Sequence, residues 1–369
     1  MQKIIIKNFM ALQDVEIEIH KFLILIGEQA SGKSAVSKLI YFFREIRREL
    51  MDIFFDEIYN TPEKELNIVN QLSQRLKNKF YDEFGSTNVS ENFQIQYYFN
   101  KQNYIIFSSR GNQHFEIALE PSEFYKSFST EEIHTLVNEA KNYRQDKTTL
   151  GKAIFRQSYD NLQTHIDTLL DDHSIYAYIP AGRIIAMLPR LSDYYLYAIS
   201  QQEMSNSNGV PVPSIDSRLI KEYLRKAEDI KDIFDSTDFA GLIDAEVLRG
   251  ESVNRPVLEI VVEHIERILR GRYSQEGESE QIYLSNTNTA INLQNASTGQ
   301  QDAIRVLQDI FLILLHKQNA FRVIEEPEVH LYPMSQKHLI EIFAIMLNNT
   351  NSQLVVSTHS PYILSIANN

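Results

Sequence analysis

No cysteine occurs in the 369 residues, which excludes a disulfide framework and any thiolate metal site and fits a reducing compartment. Long apolar runs are missing as well: none approaches the roughly 18 residues that cross a bilayer as a helix. The opening segment MQKIIIKNFMALQDVEIEIH alternates like a pair of strands. It has neither the long apolar core nor the small-residue cleavage site of a secretion signal, so the expectation is a cytoplasmic protein with no membrane partner. An excess of positive charge is also absent. Thirty-six Lys+Arg face 49 Asp+Glu, a formal net charge of −13, and such a surface repels nucleic acid at long range. Two local basic stretches remain, REIRREL (Arg44, Arg47, Arg48) and RGR (Arg270, Arg272), and the plain reading of each is a solvated helix face. An apolar content of 43% is ordinary for a folded protein, and this length suffices for two domains or for one with a large insertion.

Glycine is scarce, 12 in all, so the placing of two of them is informative. In FLILIGEQASGKSAVSKLIYFF (22–43), Gly27 is followed by four residues and then by Gly32, Lys33 and Ser34. That spacing suits a phosphate cradle. Gln29, Ala30, Ser31, Gly32 and Ala35 would turn backbone N–H groups inward, and the helix that follows aims its positive end at the same place. Lys33 would reach the β- and γ-phosphates, and the Ser34 hydroxyl would hold Mg²⁺. FLILIG reads as a buried parallel strand, and Val36, Leu39, Ile40 and Phe43 share one helical face behind the loop.

Three later segments add chemistry. AFRVIEEPEVHLYP runs a short strand, 321–324, into Glu325 and Glu326. A carboxylate at such an end supports Mg²⁺, and the next one can polarise a water; a solvated acidic pair is the plain alternative. QLVVSTHSPYIL places His359 at the carboxyl edge of a β-branched strand, where α/β sheets bind ligands. A lone histidine is usually structural, but after a carboxylate pair it suggests a γ-phosphate sensor. In NASTGQQDAIRVLQDIFLILL, Ser297 caps a helix with Gln300 closing a capping box, and Ile304, Leu307, Phe311 and Leu315 form its apolar stripe.

In this order the segments resemble the Walker A loop, S-x-G-Q signature, Walker B and histidine switch of ABC-type ATPase heads of the SMC, RecF and OLD group. The likeness is greatest to the bacterial "AAA family" ATPases of anti-phage systems such as Septu, PARIS and some retrons. IIIKNFMALQDVEIEIHKFLILIGEQASGKS, with its Asn8–Phe9 turn, is similar to their opening, and YIPAGR (178–183) to a recurrent segment ahead of the signature. The resemblance implies ATP and Mg²⁺ as cofactors, Glu325 supporting Mg²⁺, Glu326 as catalytic base and His359 as switch. It also implies that Ser297, Gly299 and Gln300 act on the γ-phosphate held by a second subunit. Glu328 and His330 would fall in the segment lining that dimer interface. Three features depart from the pattern: Glu325 replaces the usual aspartate, Thr298 stands where a second glycine is common, and no Q-loop glutamine is visible. Arg183 either substitutes for that glutamine or pairs with a carboxylate.

Between the motifs, 51–85 reads as helical with a break at NTPEKE, 93–119 as antiparallel strands, and 120–172 as polar helices. NSNGVPVPS (206–214) reads as a linker, helices resume over 215–271, and EQIYLSNTNTAINLQ reads as a hairpin. No heptad repeat is sustained, which disfavours long coiled-coil arms. The tyrosines read mainly as core or rim residues rather than as base-stacking platforms.

The expected fold is therefore α/β: an ABC-type P-loop head, with a mostly parallel sheet flanked by helices, an antiparallel β subdomain and a predominantly helical insertion. The expected division is 1–119 (first part of the head), 120–271 (helical insertion, with the Q-loop-like segment 178–183) and 272–369 (second part of the head). The expected protein is an ATPase that forms a homodimer or higher homo-oligomer around ATP and Mg²⁺. It would control a separate nuclease or toxin in anti-phage defence. The rivals are a RecF-like repair ATPase touching nucleic acid directly and a slow, nucleotide-gated scaffold. No nuclease motif is visible in the chain, and its end ten residues after His359 leaves truncation open.

Overall fold

The computed structural model describes residues 2–60, 68–85, 92–110, 114–120, 127, 130–187, 192, 196–197, 215–277, 279–287 and 289–368. Residues 61–65 of the expected break and the whole expected linker 206–214 lie outside the described residues. The strands in chain order are β1 (Gln2–Phe9), β2 (Leu12–Ile19), β3 (Phe22–Ile26), β4 (Gln94–Tyr98), β5 (Tyr104–Arg110) and β6 (His114–Glu120). They continue with β7 (Ile175–Ile179), β8 (Gly271–Glu276), β9 (Ser279–Leu284), β10 (Ala290–Asn292), β11 (Ala320–Glu325) and β12 (Gln353–Thr358). The chain divides into two compact units, 1–20 with 38–173 and 21–37 with 174–369. No helix among the described residues is long and apolar enough to cross a membrane.

The first unit holds an antiparallel sheet in the order β2-β1-β4-β5-β6. The strand pair expected at the N-terminus is β1–β2, in register from Gln2↔Ile19 to Phe9↔Leu12, and Met10 takes a positive φ of 51° to make the turn. Alternation buries Ile4 and Ile6 on one face, as a half-buried strand requires. Behind the sheet the core is unusually aromatic. Phe43 stacks on Tyr97 at 5.0 Å, and Phe9, Phe80 and Phe93 meet at 5.6–5.7 Å. Each such pair contributes about 0.5–1.5 kcal/mol beyond its buried area.

Neither reading of REIRREL holds. Arg44 is buried and its guanidinium pairs with Asp172, while Arg47 clamps Asp167 through two nitrogens, one at 2.8 Å. Arg48 pairs with Glu45 one turn away. The stretch is neither a basic patch nor a solvated face. Arg44 and Arg47 are spent on ion pairs with carboxylates more than 100 residues later, which the local sequence cannot announce.

The second unit carries a four-stranded, all-parallel sheet in the order β3-β12-β11-β7 and a three-stranded antiparallel sheet, β10-β9-β8. The expected hairpin is β9–β10. β8 was not expected: it places Arg272 on a strand, over the Tyr283 ring at 5.5 Å, and leaves Arg270 as a left-handed helix cap, so RGR is no helix face either. β3 is parallel as expected, but its residues are only half-buried and it ends the described sheet, with Ile26 41% exposed. β11 is the buried centre, and Ile324, Leu354 and Val356 pack with helices Thr298–Leu315 and Pro333–Asn349.

Helix Thr298–Leu315 departs from the expected amphipathic stripe. Ile304, Leu307, Phe311 and Leu315 are buried, but so is nearly every residue from Gly299 onward, Asp302, Arg305 and Asp309 among them. Burying a charge requires a partner. Arg305 Nη2 meets Glu280 Oε2 at 2.6 Å, and Asp309 is held by Arg322 Nε at 2.7 Å and Lys226 Nζ at 2.8 Å. The expected fold class is the observed one: parallel and antiparallel sheets with helices packed on them.

Candidate functional site

The register of the parallel sheet brings the motifs together. Ile26 pairs with Thr358, Ser357 with Glu325, and Ile324 with Ile179. The glycine loop, His359, Glu326 and the segment 180–183 therefore leave neighbouring strands at one carboxyl edge, the place where parallel α/β sheets bind ligands.

In the glycine loop, Gly32 adopts φ 93°, a conformation that a Cβ would strain, and Ala30 also lies at positive φ (62°). A Cβ on Gly27 would approach the Ser31 hydroxyl to 2.9 Å. These constraints curl the chain so that helix Lys33–Arg44 starts at the loop, its Val36 N–H donating to Gly32 O at 3.0 Å. Glu28, Gln29, Ala30, Ser31 and Ser34 are exposed. The Lys33 ammonium donates to the carbonyls of Gly27 and Glu28, both at 2.7 Å, and reaches Ser31 Oγ at 3.4 Å. It pairs with no carboxylate among the described residues, so its charge is available to an incoming anion.

The acidic turn is built more tightly. Glu325 is buried, and its two oxygens accept from the Tyr178 hydroxyl at 2.7 Å and the Ala181 N–H at 3.3 Å. Glu326 takes the left-handed conformation, φ 44°, which costs a non-glycine residue about 1–2 kcal/mol. Three bonds hold it there. Its N–H donates to Ser357 O at 2.7 Å, and its carbonyl accepts from Arg183 Nη2 at 2.9 Å and Val329 N–H at 3.1 Å. The side chain is one-third exposed, with its Oε1 3.3 Å from His359 Nε2.

Arg183 pairs with main-chain carbonyls and with no carboxylate among the described residues. It is 1% exposed and donates to the carbonyls of Asp302 (3.0 Å), Glu325 (2.8 Å) and Glu326 (2.9 Å), which makes it a strut under the acidic turn. Glu328 is buried, and its Oε1 accepts from the Thr358 hydroxyl and from the His359 N–H at 3.2 Å, so it holds the backbone on either side of that strand end. His330 is half-exposed, with Nδ1 2.7 Å from Asp302 Oδ2. Sequence reasoning missed the parts played by Tyr178, Arg183 and Glu328. The segment YIPAGR was the available signal for two of them, but not for what they hold.

The helix that starts after Ser297 is capped as expected. Ser297 Oγ accepts from the Gln300 N–H at 3.4 Å, Gln300 Oε1 accepts from the Ser297 N–H at 2.9 Å, and Gln300 Nε2 donates to Leu269 O at 2.6 Å. Ser297 and Thr298 face solvent, and no hydrogen bond joins them to residues 27–34 among the described residues. Gly299 lies under the acidic segment: a Cβ there would sit 2.4 Å from the His330 carbonyl. Gly299→Ala is therefore expected to destabilise the protein by about 1–3 kcal/mol, because backbone rather than a flexible side chain must yield. An unchanged urea midpoint would show that the two segments separate freely.

No curated protein matches the chain. Among solved structures, the chain is similar to an SMC head bound to the C-winged-helix domain of ScpA, at 13% identity and TM-score 0.42, over 99% of this chain and 91% of that one. It is similar to the SMC head domain from Thermotoga maritima at 13% identity and TM-score 0.39, again over 99% and 91%. A third is an Smc head with an extended coiled coil, bound to the C-terminal domain of ScpA derived from Pyrococcus furiosus, at 12% identity, TM-score 0.42, over 100% and 92%. The sequence model of the family described as "AAA ATPase domain" matches residues 1–364, a span that takes in the glycine loop, the acidic turn and the strand before His359, and the chain belongs to that family.

Proposed function

We propose that this ATPase domain works as an ABC-type head: two chains enclose ATP and Mg²⁺ between one chain's glycine loop and the other's Ser297–Gln300 segment, and hydrolysis releases them. The observation that carries the reading is the position of Glu326, one residue past the carboxyl end of β11 with its Oε1 3.3 Å from His359 Nε2. Gly27, Gln29–Ser34 and Ala35 would cradle the phosphates, with Lys33 supplying charge. Mg²⁺ fits the oxygen donors present. Ser34 is exposed at the helix start, and the Glu325 oxygens accept one bond each and keep lone pairs for a metal-bound water. The cation would neutralise charge on the phosphates. Glu326 would take the proton of the attacking water while His359 orients it.

By role, we divide the chain into head segments 1–119 and 272–369 and an insertion, 120–271, that would carry partner contacts. The output would be control of a separate nuclease or toxin in cytoplasmic anti-phage defence, a step supported by the resemblance of the motif segments. Direct nucleic-acid binding is the weaker reading, because Arg44 and Arg47 are consumed by Asp172 and Asp167 and the net charge is −13. Light scattering tests the sandwich. Addition of ATP and Mg²⁺ is expected to raise the molar mass to that of a dimer, and Glu326→Gln to prolong that state. A mass indifferent to nucleotide in both proteins overturns the mechanism.

A further inference from the structure

Away from the sheet edge, three side chains converge with no role in the chemistry above. His264 lies on helix Arg255–Leu269, and His338 and Glu341 lie one turn apart on helix Pro333–Asn349. Their atoms form a small triangle: His264 Nδ1 to His338 Nδ1 is 3.0 Å, His338 Nδ1 to Glu341 Oε2 is 3.0 Å, and His264 Nδ1 to Glu341 Oε2 is 3.3 Å. Both imidazoles are largely buried, and the carboxylate sits at the solvent rim.

Hydrogen bonding alone serves this triangle poorly. Two neutral imidazoles bring at most two protons to these three atoms, and any proton on one Nδ1 must choose between the other ring and the carboxylate. Protonating both rings would place two cations in contact. One cation at the centre satisfies all three lone pairs at once. With metal–ligand bonds of roughly 2.0–2.1 Å, tetrahedral ligands stand about 3.3 Å apart, close to the separations found here.

We propose that His264, His338 and Glu341 form a binding site for a divalent transition-metal ion of the zinc class, tying helix Arg255–Leu269 to helix Pro333–Asn349. Two imidazole nitrogens and one carboxylate oxygen suit a borderline cation rather than Mg²⁺, whose preferred ligands are all oxygen. Three protein ligands would leave a fourth tetrahedral position for water. The site is made from protein atoms alone and does not depend on the nucleotide reading.

The test is calorimetric titration of the full chain with zinc chloride, in nucleotide-free and magnesium-free buffer after chelator treatment. One saturable site per chain is expected, with a rise in melting temperature. The affinity should fall by at least about 100-fold in His338→Gln and about 10-fold or more in Glu341→Gln, the latter at the exposed edge where the fold is least disturbed. Cobalt(II) in place of zinc should give visible absorption that both variants lose. Absence of a saturable site, or equal zinc uptake by wild type and both variants, overturns the proposal and leaves a hydrogen-bonded cluster.

Discussion

Glu326→Gln is expected to lower steady-state ATP hydrolysis by at least about 100-fold while nucleotide binding persists, since a positioned general base contributes roughly 10²–10⁴-fold. The substitution is informative because the backbone does not depend on the side chain. The left-handed kink is held by the Ser357 carbonyl, the Val329 N–H and the Arg183 guanidinium, all acting on main-chain atoms. Glutamine therefore fills the same space beside His359 and lacks only the basic oxygen. Phosphate release and fluorescent-nucleotide binding, measured side by side, separate the two effects. A rate within about threefold of wild type would remove Glu326 from the role of base and return the acidic turn to a structural one.

The second large effect is on stability. Asp309 is almost fully buried in helix Thr298–Leu315, facing Arg322 on the central strand and Lys226 on helix Ile215–Ile233. Burial by itself would raise its pKa, but the two cations outweigh that and hold the carboxyl well below its usual range. Removing one partner of such a cluster leaves buried charge uncompensated, so Asp309→Ala is expected to cost about 3–5 kcal/mol. The sign with pH follows from the depressed folded value. The carboxylate's contribution is fully present above the unfolded pKa of about 3.9 and is lost as pH falls through the folded one. Urea midpoints should therefore separate wild type from Asp309→Asn most widely near neutrality and converge in acid. Parallel curves across that range would mean that Asp309 is not the titrating anchor.

How much of this was legible beforehand depends on sequence distance. The glycine loop, the capping box at Ser297, the strand–carboxylate run at 320–326 and the strand before His359 are all local patterns. Loop geometry, cap hydrogen bonds and strand alternation are satisfied within a few residues, so spacing alone reports them. Arg44 and Arg47 read as a solvated helix face or a basic patch because the Asp172 and Asp167 that neutralise them are more than 100 positions away. Arg183 read as a glutamine substitute or a carboxylate partner because the main-chain carbonyls it binds carry no sequence signal.

The sequence by itself determined the chemistry on offer: a lysine and serine after a tight glycine loop, two carboxylates at a strand end, and a histidine at another. The parallel register of β3, β12, β11 and β7 decided that these meet at one edge, because only pairing across the sheet converts strand ends into neighbours. Tertiary structure also decided which charges remain free. Desolvation makes every buried charge find a partner, and the partner is chosen by proximity in space, to which neither Asp309 with Arg322 nor His264 with His338 owes anything in sequence spacing.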